Sequence, residues 1–71
     1  MTIIEIRPHP RGWKVFEAPG VEPVFRNKDQ AIYYAKGRAR FRRSEIRILD
    51  SNGKVERIIQ CDDTRQPYGN A

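Results

Sequence analysis

The sequence has few of the residues that most often carry chemistry. Its 71 residues include one cysteine, Cys61, and one histidine, His9. A single cysteine permits no internal disulfide, and a metal site needs several convergent ligands. His9 lies between two prolines and fits a turn, whereas Cys61 precedes two aspartates and fits an inert strand end. We therefore predict no metal site and no cofactor site.

Catalytic motifs are also missing from the sequence. There is no glycine-rich phosphate loop, no His-Glu-x-x-His and no nucleophile elbow. Asp62 and Asp63 are adjacent, but neighbouring strand residues point to opposite faces, and in a tail both are simply solvated. A sheet with one helix seldom encloses a pocket. We therefore expect no catalytic residues and a protein that is not an enzyme.

Long hydrophobic runs are absent as well. No apolar stretch approaches the length of a membrane span. The first residues, Met-Thr-Ile-Ile-Glu, lack the basic and hydrophobic regions of a signal peptide. Together with the single cysteine, these features predict a cytoplasmic bacterial protein without a membrane partner.

Length and composition indicate one small domain. A chain of 71 residues allows only a small core. Hydrophobic residues make up 38% and charged residues 32%, and the apolar residues occur in short clusters, which argues against disorder. Apolar content falls after Gln60. We expect a single domain over residues 1–60 and a flexible C-terminal tail over residues 61–71.

One stretch, residues 27–43, has the pattern of a helix. Asn27 suits the N-cap, and Gln30 three residues later suits a capping box. We expect the helix to end between Arg38 and Arg42, with Gly37 on its outer side. The apolar spacing is that of one buried helical face, made of Ala31, Ile32, Ala35 and Ala39.

Short strands are predicted on both sides of this helix. Residues 8–12 contain two prolines and a glycine and are expected to form a loop. Asn52-Gly53 is typical of a type I′ hairpin turn. The result is an α+β fold, with a small and mainly antiparallel sheet, the order β-β-β-α-β-β and one helix packed on one face. The strands are expected at residues 2–7, 13–18, 22–26, 44–50 and 54–60, and the first three should form an antiparallel meander.

The motifs resemble those of a bacterial family, domain of unknown function 2188. The likeness covers roughly residues 2–60, and this chain departs from it in a longer connection at residues 21–23 and an arginine-rich helix end. The resemblance implies the fold and brings no activity or site residues. It is carried by a Pro-His turn followed by Gly12, Trp13 and Val15, by a helix with Lys28, Ala31, Ala35 and Ala39, and by a final hairpin with Ile46, Ile48, Asp50, Gly53 and Lys54.

Positive charge is concentrated on the predicted helix. Residues 26–43 contain seven basic residues against Asp29 alone, while the rest of the chain has seven basic and eight acidic residues. By helical projection Lys36, Arg40 and Arg43 lie on the side opposite the alanines, with Tyr33 next to them. A row of cations one turn apart can follow the phosphates of DNA or RNA. The alternative is that these charges favour the helix dipole and keep the protein soluble.

In several strands, apolar residues occupy both odd and even positions and so point to both faces of the sheet. This pattern suggests a second buried surface. One helix covers only one face of a sheet, so a contiguous apolar patch on the other would mark an interface, most simply in a homodimer. Trp13 and Val15 are the candidate interface residues. Trp13 has two further interpretations, a core residue, which we favour, or a stacking platform for bases.

These observations favour a non-catalytic binding module. Two hypotheses lead: contact with a nucleic-acid phosphate backbone through the helix, or association with a protein, including a second copy, without a nucleic-acid role. A third is an accessory domain with no dedicated ligand.

Overall fold

The computed structural model describes residues 1–40 and 42–61. Residues 62–71, nearly all of the predicted tail, lie outside this range, and Cys61 belongs to the last strand. The order β-β-β-α-β-β is confirmed. The elements are β1 (Thr2–His9), β2 (Gly12–Phe16), β3 (Val24–Phe25), α1 (Lys28–Ala39), β4 (Ser44–Leu49) and β5 (Val55–Cys61).

The five strands form one mixed sheet in the order β3-β2-β1-β4-β5. The first three strands form the predicted antiparallel meander, and β4 and β5 form an antiparallel hairpin. Between these two units, β4 runs parallel to β1. A parallel neighbour cannot be reached by a tight turn. The chain therefore crosses over through α1, which lies on one face of the sheet.

The core lies between α1 and the covered face of the sheet. The helix contributes its alanines, and their small side chains allow the helix to lie close to the strands. Each isoleucine buried on the opposing strands contributes about 1.5–3 kcal/mol to stability. The predicted helical face is confirmed, with Ile32 partly buried at its side. The buried cluster comprises Ile4, Ile6, Val15, Ala31, Ala35, Ala39, Ile46 and Ile48.

The loop predicted over residues 8–12 is wrong in its extent. Strand β1 continues through Pro8 and His9, which pair with Trp13 and Gly12. The ladder with β4 ends at Ile6, so β1 is flanked only by β2 from there on. Proline is tolerated where a strand has a free edge, because no ladder hydrogen bond is lost.

Gly12, the first residue of β2, has a conformation and a space that only glycine fits. Its φ is +136°, and a Cβ atom there would lie 2.0 Å from the carbonyl oxygen of Phe25. The backbone of the third strand thus passes directly against Gly12, which explains the glycine before Trp13.

The turn between β4 and β5 differs from the predicted type I′ turn. The amide of Gly53 donates to the carbonyl of Asp50 at 2.9 Å, which makes Ser51 and Asn52 the central residues. Gly53 follows with a φ of +82°. The Asp50 carboxylate also accepts from the amides of Asn52 at 2.8 Å and Lys54 at 3.0 Å. This side chain stabilises a three-residue loop in place of the two-residue turn.

Asn27 occupies the N-cap of α1, as predicted, but its side chain makes no capping hydrogen bond. Its backbone carbonyl accepts from the amide of Ala31 at 3.3 Å. At the other end, the Arg40 amide donates to the Gly37 carbonyl at 3.4 Å, and the helix ends within the predicted interval.

Candidate nucleic-acid interface

The outer side of α1 brings together three of the four predicted phosphate-contacting residues. Tyr33, Lys36 and Arg40 are exposed and border one shallow depression on the helix surface. Tyr33 is 82% exposed. Arg43 lies beyond the helix, immediately before β4; its side chain is exposed and its carbonyl accepts from the Thr2 amide at 3.2 Å. Arg43 does not border the depression.

The depression also has aromatic walls that the sequence did not reveal. Tyr34 and Phe25 line it, with their ring centroids 5.2 Å apart. Gly37 contributes only backbone to the lining. The Tyr-Tyr pair followed by Gly37 in the helix could have indicated an aromatic surface. The position of Phe25 could not be predicted, because it depends on strand pairing. The depression therefore combines cationic and aromatic groups, and the acidic Asp29 also lines it.

Arg38, one of the basic residues of the same helix, has a structural role. It donates to Glu17 from Nε at 2.8 Å and from Nη2 at 3.3 Å. The hydrogen bond from Arg38 is the main reason that the pKa of Glu17 lies below its ordinary value, with Coulombic attraction from Arg38 and Arg42 adding to it. The same pairing raises the pKa of Arg38. This cation is already held by a carboxylate.

Lys28, at the start of α1, is likewise engaged with protein groups. Its ammonium lies 5.0 Å from the centroid of the Trp13 ring and 3.5 Å from a carboxylate oxygen of Glu56. Trp13 is half-buried against the core on the covered face, and Val15 is fully buried beneath the helix. The two predicted interface residues thus lie under α1, and the Trp13 ring faces a lysine.

The open face of the sheet does not present the predicted contiguous apolar patch. Four of its apolar side chains stand directly across the ladder from a charged one, and ion pairs join Arg7 to Glu5 and Arg47 to Glu45. At the end of the β4–β5 ladder, beyond a register shift, Leu49 pairs with Val55. Such an interleaved face can be solvated as it stands. The pairs are Ile3 with Glu45, Phe16 with Glu5, Val24 with Lys14, and Ile58 with Arg47.

Comparison with known proteins agrees with this architecture. Residues 4–60 match the model of a family described as an uncharacterized protein conserved in bacteria, DUF2188. The chain belongs to this family. The resemblance found in the sequence motifs is confirmed, and the family description assigns no activity. No curated protein and no solved structure matches the chain.

The remaining candidate groups of this DUF2188 protein have ordinary surroundings. His9 accepts a hydrogen bond at Nδ1 from the Arg11 amide at 3.1 Å. Cys61 is half-buried at the end of β5 and packs against the core. Over residues 1–40 and 42–61, no three His, Cys, Asp or Glu side chains are grouped as a metal site requires. Within the same residues, no helix has the length and apolarity needed to cross a membrane.

Proposed function

We propose that this protein is a non-catalytic binding module that holds the phosphate backbone of DNA or RNA on the outer side of α1. The supporting observation is the exposed row of Tyr33, Lys36 and Arg40 beside one depression. From Tyr33 to Arg40 the helix rises by about 10 Å. This length matches about three nucleotides of one strand at 3.4 Å each.

The distribution of ion pairs supports the outer side of α1 around Lys36 as the contact region. Lys28 and Arg38 are paired with Glu56 and Glu17. Among the described residues, no carboxylate lies within ion-pairing distance of Lys36. Basic side chains exposed in this way attract phosphates and release condensed counterions on binding.

The experiment is a fluorescence anisotropy titration of labelled DNA and RNA across a salt series. Three phosphate contacts predict a slope of log affinity against log salt of about −2 to −3. The test variant changes Lys36, Arg40 and Arg43 to Gln, and the control changes Arg11, Lys54 and Arg57 to Gln. Each variant lowers the formal net charge from +5 to +2.

We expect the test variant to lose binding and the control to keep most of it, with both folded by circular dichroism because all six residues are exposed. Equal losses in the two variants would show attraction by net charge alone and overturn the assignment to α1. Absence of wild-type binding at low salt would overturn the proposal altogether.

The second candidate function, association with another copy of the chain, is favoured by β5. This strand has seven residues at one edge of the sheet, and no described strand pairs with its outer side. Val55 is 48% and Ile58 50% exposed. Unpaired edge backbone can extend a sheet by pairing with a second chain. Sedimentation equilibrium over a concentration series tests this, and a monomer at every concentration would exclude it.

A further inference from the structure

Gly37 is an exposed glycine in the last turn of α1. Glycine in a helix interior is unfavourable relative to alanine. A Cβ atom at this position would meet nothing within 4 Å. Packing therefore does not require glycine at position 37, in contrast to Gly12. Its effect is to leave open the surface just after Tyr33.

Tyr33 lies one helical turn before Gly37. Helical side chains tilt toward the N-terminus and cover the residue about one turn earlier. A side chain at position 37 would therefore lie against Tyr33, and glycine leaves that ring uncovered. The ring is 82% exposed and borders the depression with Tyr34, Lys36 and Arg40. A planar ring placed over Gly37 would contact the ring of Tyr33. Negatively charged groups on either side of it would then reach Lys36 and Arg40.

We infer that the nucleic acid bound here is single-stranded, with one base stacked on Tyr33 over Gly37 and its neighbouring phosphates beside Lys36 and Arg40. This inference rests on the proposed function and specifies its ligand. Bases in a duplex are stacked on one another and offer no free ring face to a helix surface. Bases of a single strand can turn outward, and stacking on aromatic side chains is the usual way they are held.

The test compares three labelled ligands: an oligothymidylate of about 15 nucleotides, an abasic oligomer with the same number of phosphates, and a duplex of equal length. We expect the oligothymidylate to bind about 5- to 150-fold more tightly than the abasic oligomer, which is the range for one stacked base. The duplex should bind less tightly than the oligothymidylate, because its bases are not free to stack on Tyr33.

Three single variants separate stacking from charge. Tyr33→Phe should keep the preference for the oligothymidylate, because the ring remains. Tyr33→Leu should lose the preference and bind the oligothymidylate and the abasic oligomer equally tightly. Gly37→Gln should also lose it, because the new side chain covers the ring, and this variant should melt at a higher temperature than wild type.

The binding results distinguish a failure of base stacking from a failure of the proposed phosphate contact. Equal, salt-dependent binding of the oligothymidylate and the abasic oligomer would overturn base stacking and leave the proposed phosphate contact intact. A preference for the oligothymidylate that survives Tyr33→Leu would also overturn it, because the base would then lie elsewhere. No binding of any of the three ligands would overturn both this inference and the proposed function.

Discussion

Arg38 holds Glu17 with two hydrogen bonds, from Nε to Oε1 at 2.8 Å and from Nη2 to Oε2 at 3.3 Å. The pair joins the last turn of α1 to the chain just after β2. The Glu17 side chain retains only 12% of its exposure, whereas that of Arg38 retains 45%. A bidentate guanidinium–carboxylate pair fixes orientation as well as distance. It therefore sets the position of the helix end relative to the meander.

The first prediction concerns the pH dependence of this pair. Because the pKa of Glu17 is below its ordinary value of 4.5, its contribution to stability is complete above that value. It is lost as pH falls through the lowered pKa of the folded state. The wild-type melting temperature should therefore fall more steeply below about pH 5 than that of Glu17→Gln. Thermal denaturation followed by circular dichroism at several pH values measures the difference.

A double-mutant cycle with Arg38→Gln provides the control. The two single variants should show similar melting temperatures at neutral pH, and the double variant little further loss, since each removes the same interaction. Additive losses would contradict a direct contribution of the pair.

The second prediction compares one substitution at two glycines. Gly37→Ala should stabilise the protein by about 0.5–1 kcal/mol, because the space is open and alanine favours the helix. Gly12→Ala should destabilise it by more than about 1–3 kcal/mol, because strain at φ +136° adds to the contact with the Phe25 carbonyl. Urea denaturation measures both. A stable Gly12→Ala protein would contradict the close backbone approach.

The third prediction concerns the contact of the helix with the sheet. Ala35 is fully buried, so Ala35→Glu should prevent folding, because a charge there has neither room nor a partner. The control is Lys36→Glu, which places the same side chain on the exposed side of the helix. Circular dichroism and amide proton dispersion should show an unfolded first variant and a folded second one. An unchanged melting temperature of Ala35→Glu would refute this packing.

The fourth prediction concerns the loop between β4 and β5. Asp50→Ala removes the acceptor for the amides of Asn52 and Lys54 and should cost about 1–2 kcal/mol. Asp50→Asn keeps one acceptor oxygen and should lose less. Ser51→Ala, an exposed position in the same loop, serves as the control and should change stability by less than about 0.5 kcal/mol. Equal effects at Asp50 and Ser51 would contradict the role of the carboxylate.

Local patterns were sufficient to predict α1 and the order of elements. The spacing of Ala31, Ala35 and Ala39 gave the buried face of the helix correctly, because helical period depends only on neighbouring residues. Tyr33 and Lys36 were placed on the exposed side for the same reason. In β1 the sequence did not show which face is buried, because Ile3 lies on one parity and Ile4 and Ile6 on the other; the structure buries Ile4 and Ile6.

The remaining features depended on contacts between distant segments. Pro8 lies in a strand because β4 stops pairing at Ile6, and the open face is interleaved because the register sets Ile3 opposite Glu45. Neither register is visible in a single strand.

By itself, then, the sequence determined the elements, the buried face of α1 and the concentration of positive charge, because these follow from residue type and local period. The tertiary structure paired Arg38 with Glu17 and Lys28 with Glu56, and it placed Phe25 beside Tyr34 at the depression. Charge and aromatic surface become a site only when strand pairing sets their distances, and pairing depends on residues far apart in the chain.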